Sequence, residues 1–265
     1  MSEIEFPADG GVIGRGVFGE VMKAQYRGTT VAVKRALPQV DLPDGISSTS
    51  STSSLDETAL SRLRHPCITT VMGAVKGNKK SGPMLVMEYM EFGSLHDIIH
   101  NETFTMDCDI VLEILLDIVE GMNFLHSSIP VILHGDLKSH NILVDKNLRA
   151  KVADFGFTQK KSLGLYSTSW MAPEVLRYRM RGPEADVYSF AILMSEIFSR
   201  REPYEGEDLQ LVLEQVADIS RLEDKRPAVP QDMPKELRGL MEECWHRTPD
   251  VRPPFSEIQR RVKAL

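Results

Sequence analysis

The sequence is poor in several features that would mark its environment. It has 3 cysteines in 265 residues, and these residues, Cys67, Cys108 and Cys244, form neither a CxxC pair nor a disulfide framework. We therefore interpret them as thiols in a reducing compartment. No run approaches the ~18 consecutive apolar residues of a membrane helix, and the N-terminus has no basic segment followed by an apolar stretch, as a secretory signal would.

Positive charge is also in short supply. The chain has 31 Lys and Arg against 38 Asp and Glu, which gives a net charge of −7. Proteins that mainly bind nucleic acid usually carry a basic excess. Together these absences predict a cytoplasmic location, no membrane segment in this chain and no nucleic-acid partner.

What is present is typical of a globular chain. The sequence is 42% hydrophobic and 26% charged, and its length suits one large domain or two closely associated lobes. Strand-like sequence gives way to helix-like sequence near residue 91. We therefore predict an α+β fold, with a small β-rich lobe and hinge in residues 1–90 and a larger helical lobe in residues 91–265.

Particular elements can be predicted from residue patterns. Strands are expected on both sides of the glycine cluster at 14–19 and over residues 84–90. A helix is expected to begin after Asp107, an N-cap residue, and residues 187–198 are apolar nearly all round, as in a central buried helix. Further helices are predicted around 237–244 and over 256–265. Residues 47–54 are all Ser or Thr, which predicts a surface loop over 42–54.

Two N-terminal motifs are compatible with phosphate binding. Gly14, Gly16 and Gly19 match GxGxxG, a weak signal by itself. Because strand-like rather than helical sequence follows, the glycines predict a hairpin that closes over phosphates or, equally, a plain glycine-rich hairpin. The strand Val31-Ala32-Val33-Lys34 then places Ala32 and Lys34 on one face.

The most informative segment is His134-Gly135-Asp136-Leu137-Lys138-Ser139-His140-Asn141, which is followed by Asp154-Phe155-Gly156 and Ala172-Pro173-Glu174. These motifs, in this order, resemble those of the eukaryotic protein kinase family. The resemblance covers residues 11–265. It implies a bilobal kinase fold, with one regulatory helix in the β-rich N-lobe, and transfer of the γ-phosphate of Mg-ATP to protein hydroxyls.

The resemblance also implies roles for individual residues. Asp136 would be the base for the acceptor hydroxyl, Lys138 would contact the transferring phosphoryl group, and Lys34 would pair with the α- and β-phosphates. Asn141 would complete the catalytic set and would bind Mg²⁺ together with Asp154. The residues expected to hold the rest of ATP are Ile13, Val21, Ala32 and Leu143 around adenine, Met87 as gatekeeper, the backbone of Glu88 and Met90, and the glycines Gly14, Gly16 and Gly19.

Further positions would be structural. Glu174 resembles the glutamate that pairs with a late arginine, here Arg252, and Asp186 would support the catalytic loop from the buried helix.

The sequence departs from the family at functionally important positions. The family's His-Arg-Asp is His134-Gly135-Asp136 here, so the arginine that would bind an activation-loop phosphate is missing. We therefore expect activity without that phosphate. The family's helix glutamate that pairs with Lys34 has two candidates in this sequence. The register favours Asp56, whereas its neighbour Glu57 has the usual side chain but lies about 100° away around a helix.

Among kinases, the Trp170–Glu174 run and the closing segment from Cys244-Trp245 to Ile258 are most similar to the tyrosine-kinase-like group, which includes Raf-type and mixed-lineage kinases. Lys138 is typical of relatives that phosphorylate serine or threonine, since tyrosine-specific relatives usually carry an arginine later in this loop instead. Two alternatives remain: a pseudokinase that binds nucleotide and acts as a signalling scaffold, and a small-molecule phosphotransferase. We expect a protein substrate and regulatory domains outside this chain.

Overall fold

The computed structural model describes residues 3–8, 10–16, 19–36, 63–75, 83–155 and 165–265. The chain divides into two compact units, residues 1–91 and 92–265. Several predicted features lie outside the described residues: the 42–54 loop, the regulatory helix with Asp56 and Glu57, and Gly156.

The first unit is built on an antiparallel sheet. Its strands are β1 (Ile4–Glu5), β2 (Val12–Gly16), β3 (Gly19–Tyr26), β4 (Thr29–Ala36), β5 (Val71–Val75) and β6 (Met84–Glu88). The strand order is β1-β3-β4-β6-β5, with β2 also paired to β3. The strand predicted over 84–90 therefore ends two residues early, at Glu88.

The two faces of this sheet differ in composition because side chains alternate along each strand. One face carries a hydrophobic cluster of Met22, Ala24, Val31, Val33, Met84 and Val86. The other face carries the intervening residues, since Val21 pairs with Lys34 and Ala32 pairs with Met87. Among the described residues, this hydrophobic cluster thus lies on one face of the sheet.

The second unit is mainly helical. Its helices are α1 (Leu95–Ile99), α2 (Cys108–His126), α3 (Pro173–Tyr178), α4 (Pro183–Ser199), α5 (Leu209–Ala217), α6 (Lys235–Cys244) and α7 (Phe255–Val262). A small antiparallel sheet joins β7 (Gly93–Ser94), β8 (Ile142–Val144) and β9 (Ala150–Val152) in that order. Short 3₁₀ turns cover Ser139–Asn141, Leu165–Trp170 and Pro249–Val251.

Local sequence explains how the two longest helices begin. Asp107 is the N-cap of α2, as predicted, and its Oδ1 accepts a hydrogen bond from the Ile110 N–H at 2.9 Å. The buried helix predicted over 187–198 is confirmed as α4, which begins earlier because Pro183 occupies its first turn. From Val187 to Ile197, α4 is buried on nearly every side and forms the centre of the unit.

These elements confirm the predicted α+β fold class, with a β-rich unit followed by a helical one. Within the described parts of the chain, every helix is too short or too polar to cross a lipid bilayer.

Candidate active site

The loop that carries Asp136 is fixed by a buried histidine. The His134 side chain is buried, and its Nε2 lies 2.9 Å from the carbonyl oxygen of Ala153. Its Nδ1 accepts a hydrogen bond from the backbone N–H of Asp136 at 3.2 Å. Because Nδ1 accepts while Nε2 donates, the imidazole is the neutral Nε2–H tautomer. His134 therefore ties the backbone of Asp136 to the residue before Asp154.

A buried carboxylate supports the same loop from α4. Asp186 Oδ2 accepts a hydrogen bond from the His134 N–H at 2.9 Å, and Oδ1 accepts one from the Gly135 N–H at 2.7 Å. The His126 Nε2 lies 2.9 Å from Oδ2. Charge-assisted bonds of this kind are about twice as strong as neutral ones. The predicted supporting role of Asp186 is thereby confirmed.

Asp136 lies among the other predicted catalytic groups of the second unit. The Asn141 Nδ2 donates to the Asp136 backbone oxygen at 2.7 Å and to Asp136 Oδ2 at 3.1 Å. The Lys138 Nζ lies 3.8 Å from Asp136 Oδ1, and the two side chains are only 14% and 9% exposed. A carboxylate, an amide and an ammonium group thus share one partly buried position, which is suited to accepting a proton beside a phosphoryl group.

The hairpin of β8 and β9 brings Asn141 and Asp154 to the same end. Ile142 pairs with Val152, and the Ala153 N–H donates to the Asn141 carbonyl oxygen at 2.9 Å. Asp154 follows with φ of 57°, a left-handed backbone conformation that non-glycine residues rarely adopt. Such strained residues are concentrated at functional sites. The two residues offer amide and carboxylate oxygens, the hard donors that suit Mg²⁺.

In the first unit, four predicted ATP-binding residues share one sheet face. Val21, Ala32, Lys34 and Met87 all lie on the face opposite the hydrophobic cluster. Ala32 is buried, whereas Lys34 is partly exposed.

The other predicted ATP-binding residues lie around this sheet and in β8. Gly14 pairs with Val21 and Gly16 pairs with Gly19, so the glycines belong to a β2–β3 hairpin rather than to the start of a helix. Ile13 is 51% exposed, Met90 is buried, and Leu143 lies in β8 of the second unit.

Glu88 has a specific backbone contact. Its N–H donates to the Thr70 carbonyl oxygen at 3.1 Å. A contact between the Glu88 backbone and a nucleotide base would therefore use the carbonyl oxygen.

A second buried carboxylate, which the sequence patterns did not predict, lies next to the catalytic loop. Glu196 Oε1 accepts a hydrogen bond from Ser139 Oγ at 2.6 Å, and Oε2 accepts one from Trp170 Nε1 at 3.0 Å. Burial raises the pKa of Glu196, but hydrogen bonds from His100, Ser139 and Trp170, together with the nearby His96 imidazole, outweigh burial and lower it. The signal in the sequence was a lone acidic residue in the apolar run of α4.

Comparisons with known proteins agree with this arrangement. The sequence model of the family "Protein tyrosine and serine/threonine kinase" matches residues 9–262. The chain is 38% identical over 263 residues to the probable serine/threonine-protein kinase drkC of Dictyostelium discoideum, covering 96% of this chain and 34% of drkC.

Two further relatives are similar over nearly the whole chain. For drkD of the same organism the identity is 38%, over 97% of this chain and 19% of the relative. For the probable serine/threonine-protein kinase SIS8 of Arabidopsis thaliana it is 36%, over 96% of this chain and 24% of the relative. The chain thus spans between 19% and 34% of the length of these relatives.

Proposed function

We propose that this chain, which belongs to the protein tyrosine and serine/threonine kinase family, transfers the γ-phosphate of ATP to serine or threonine hydroxyls of protein substrates, with Mg²⁺ as cofactor. The acceptor class is supported by the relatives, which are named as probable serine/threonine-protein kinases. Lys138 supports it as well, because tyrosine-specific relatives usually carry an arginine later in this loop.

The observation that carries the proposal is the position of the Asp136 carboxylate. Asn141 holds one of its oxygens, and the other lies 3.8 Å from Lys138 Nζ. The carboxylate would accept the hydroxyl proton as the oxygen–phosphorus bond forms. The bond from the γ-phosphorus to the bridging oxygen breaks, and its electron pair leaves with ADP. Lys138 would offset the charge on the transferring group.

Asn141 and Asp154 would hold the metal, because both offer oxygen ligands at one end of the β8–β9 hairpin. Mg²⁺, when bound, would neutralise part of the negative charge of the phosphates.

The remaining ATP contacts are proposed from the family pattern. Lys34 would pair with the α- and β-phosphates. Adenine and the phosphates would be held by Ile13, Val21, Ala32, Leu143, Met87, the backbone of Glu88 and Met90, and the three glycines Gly14, Gly16 and Gly19. The shared sheet face of Val21, Ala32, Lys34 and Met87 supports this set.

We also propose that activity does not require a phosphorylated activation loop. Gly135, which replaces the family's arginine, has φ of 68° and no side chain that could bind a phosphate. The Gly135 backbone is nevertheless held by Asp186 at 2.7 Å. The catalytic loop around Gly135 is therefore held in place without an ion pair between an arginine and an activation-loop phosphate.

We further propose that the chain belongs to the tyrosine-kinase-like group, that it is cytoplasmic, and that regulatory segments lie outside this chain. The assignment to the group rests on the Trp170–Glu174 run and the closing motif. Regulatory segments are supported by the relatives, of which this chain spans only 19–34% in the three cases above.

The proposal is tested by incubating the chain with γ-labelled ATP, Mg²⁺ and a generic protein substrate, followed by phosphoamino-acid analysis. Wild type should label serine or threonine, and Asp136→Asn should abolish the label. Thermal stabilisation by Mg-ATP is measured in parallel. Stabilisation of both proteins without Asp136-dependent label would instead favour the scaffold function.

A further inference from the structure

Four potential metal ligands converge beside the catalytic loop. His96 and His100 belong to α1 and its C-cap, Glu196 lies in the last turn of α4, and Glu202 follows that helix. One ligand atom from each lies within 4.8 Å of the others. None of these four residues has a role in the proposed phosphoryl transfer.

Three of the separations between these ligand atoms are close to those of a tetrahedral metal site. His100 Nε2 lies 3.3 Å from Glu196 Oε1, whereas His96 Nδ1 lies 3.4 Å from Glu202 Oε1 and 3.7 Å from Glu196 Oε1. Zinc bonds of about 2.0–2.2 Å in a tetrahedron place ligand atoms about 3.3–3.6 Å apart. The observed separations therefore leave space for one ion at the centre.

The positions of these ligands are fixed by contacts that do not involve the cluster. His96 and His100 are four residues apart, which places both on one face of a helix. Arg200, just after α4, donates to the carbonyl oxygens of Ile99, Asn101 and Phe104 at 2.8, 2.7 and 2.9 Å. These bonds hold the end of α1 against the end of α4, so the site is preformed.

The ring of His96 is itself oriented by a neighbour. His140 stacks on it with ring centroids 3.8 Å apart and an angle of 19°. In metal sites, contacts of this kind outside the ligand set fix the direction of the ligand nitrogen.

The cluster also contains a buried nitrogen that needs a partner. Within the described residues, His96 Nδ1 is buried and makes no hydrogen bond, although carboxylate oxygens lie 3.4 and 3.7 Å away. A bound ion or water molecule is one of the partners that can satisfy such a group. Nitrogen and oxygen lone pairs that face one another are stabilised by a cation or by protons, and these are the two possible occupants.

We propose that His96, His100, Glu196 and Glu202 bind one divalent transition-metal ion, and that Zn²⁺ is its best match. Two imidazole and two carboxylate ligands favour zinc over the hard ions Mg²⁺ and Ca²⁺. The His96 side chain is 23% exposed and that of Glu202 is 42% exposed, which gives the ion a path from solvent. Because Glu196 also accepts the Ser139 hydroxyl, the ion would lie next to the turn that carries Asn141.

The test is calorimetric titration of ZnCl₂ into chelator-treated protein in a Cys108→Ser background, which removes the exposed thiol. We expect one saturable site. Glu202→Gln should weaken Zn²⁺ binding by about tenfold or more. Glu205→Gln is the matched control, because it removes the same charge from an exposed neighbour outside the ligand set. The Zn²⁺ affinity of this variant should equal that of the parent protein.

Cobalt(II) provides a second readout that reports geometry. A tetrahedral Co²⁺ complex absorbs strongly in the visible region, whereas an octahedral one absorbs weakly. The parent protein and Glu205→Gln should show the strong bands, and Glu202→Gln should lose them.

Three results would each overturn the proposal: no saturable Zn²⁺ binding, octahedral cobalt spectra, or equal affinity in the parent protein, Glu202→Gln and His100→Ala. Protons alone would then occupy the cluster, or zinc would bind elsewhere. If His100→Ala does not fold, Glu202→Gln and the cobalt spectra decide. No readout depends on phosphoryl transfer, so failure here and failure of the proposed activity are distinguishable.

Discussion

At the residue scale, the geometry around Asp136 depends on side chains that do not themselves react. Asp186 bonds the backbone N–H groups of the two residues before Asp136, and His134 bonds that of Asp136 itself. Three consecutive backbone groups are thus fixed by two buried side chains. Asp186 is a positioning residue, because it acts on the reaction through this backbone.

Asp186→Asn tests that role. The substitution replaces a carboxylate oxygen with an NH₂ group, so one backbone N–H would face a donor, which costs about 1–3 kcal/mol. We expect kcat to fall by up to about 100-fold through misplacement of Asp136, with little change in KM for ATP. Steady-state kinetics and thermal unfolding measure the two effects.

The matched control for this substitution is Asp232→Asn, which makes the same change at an exposed turn. It should leave kcat and the melting temperature as in wild type. A folded Asp186→Asn protein with normal kcat would contradict the positioning role.

At the scale of elements, α4 connects the core of the second unit to its chemistry. The helix carries Asp186 in its first turn and Glu196 in its last, about 15 Å apart along the axis at 1.5 Å per residue. Both carboxylates are buried and both bond to the 134–141 segment. A helix that is mostly apolar thus provides two fixed polar anchors for one loop.

A second link between elements is the ion pair of Glu174 in α3 with Arg252, which precedes α7. Arg252 Nη1 and Nη2 lie 2.6 and 2.9 Å from the two oxygens of Glu174, which confirms the predicted pair. The Arg252 side chain is 0% exposed. Arg252 Nη1 also donates to the Glu184 carbonyl oxygen at 2.9 Å, so this one side chain connects three segments.

Glu174→Gln should destabilise the protein strongly. It leaves the buried guanidinium without its counter-charge, and breaking a buried pair in this way costs about 3–5 kcal/mol. Thermal or urea unfolding measures the loss. Glu257→Gln is the control, because it removes an exposed carboxylate that also pairs with an arginine, Arg260.

Since solvent screens an exposed pair, Glu257→Gln should leave stability essentially unchanged. Equal effects of the two substitutions would show that burial does not govern the strength of the Glu174–Arg252 pair.

At the scale of the whole molecule, local sequence patterns were sufficient to predict many of the helices and strands. Asp107 predicted the start of α2 because an N-cap acts on residues next to it in sequence. End points were less accurate: the last helix covers Phe255–Val262 rather than 256–265, because helix ends fray and local signals there are weak.

The Glu196 cluster could not have been predicted from such patterns. His100 and Glu196 are 96 positions apart, and only the packing of α1 against the end of α4 brings them together. The motif order around Asp136 did identify the family, but the support from Asp186 was expected only through the resemblance. Contacts that depend on tertiary packing therefore required the structure.

The thiols give a prediction for the intact fold. Cys108 is exposed, whereas Cys67 and Cys244 are buried. Burial raises the pKa of the Cys244 thiol well above its usual value, which keeps it unreactive. A colorimetric thiol reagent should therefore modify one cysteine in the native protein and three after denaturation. Rapid reaction of all three in the native state would contradict the burial of Cys67 and Cys244.

The central claim, that Asp136 makes this chain an active kinase without a loop phosphate, is tested most directly by initial rates. Mass-verified, unphosphorylated wild type and Asp136→Asn are given Mg-ATP and a protein substrate, and transfer is followed from the first seconds. We predict transfer by wild type without a lag, about 10²- to 10⁴-fold faster than by Asp136→Asn. A wild-type rate no higher than that of Asp136→Asn would contradict the claim.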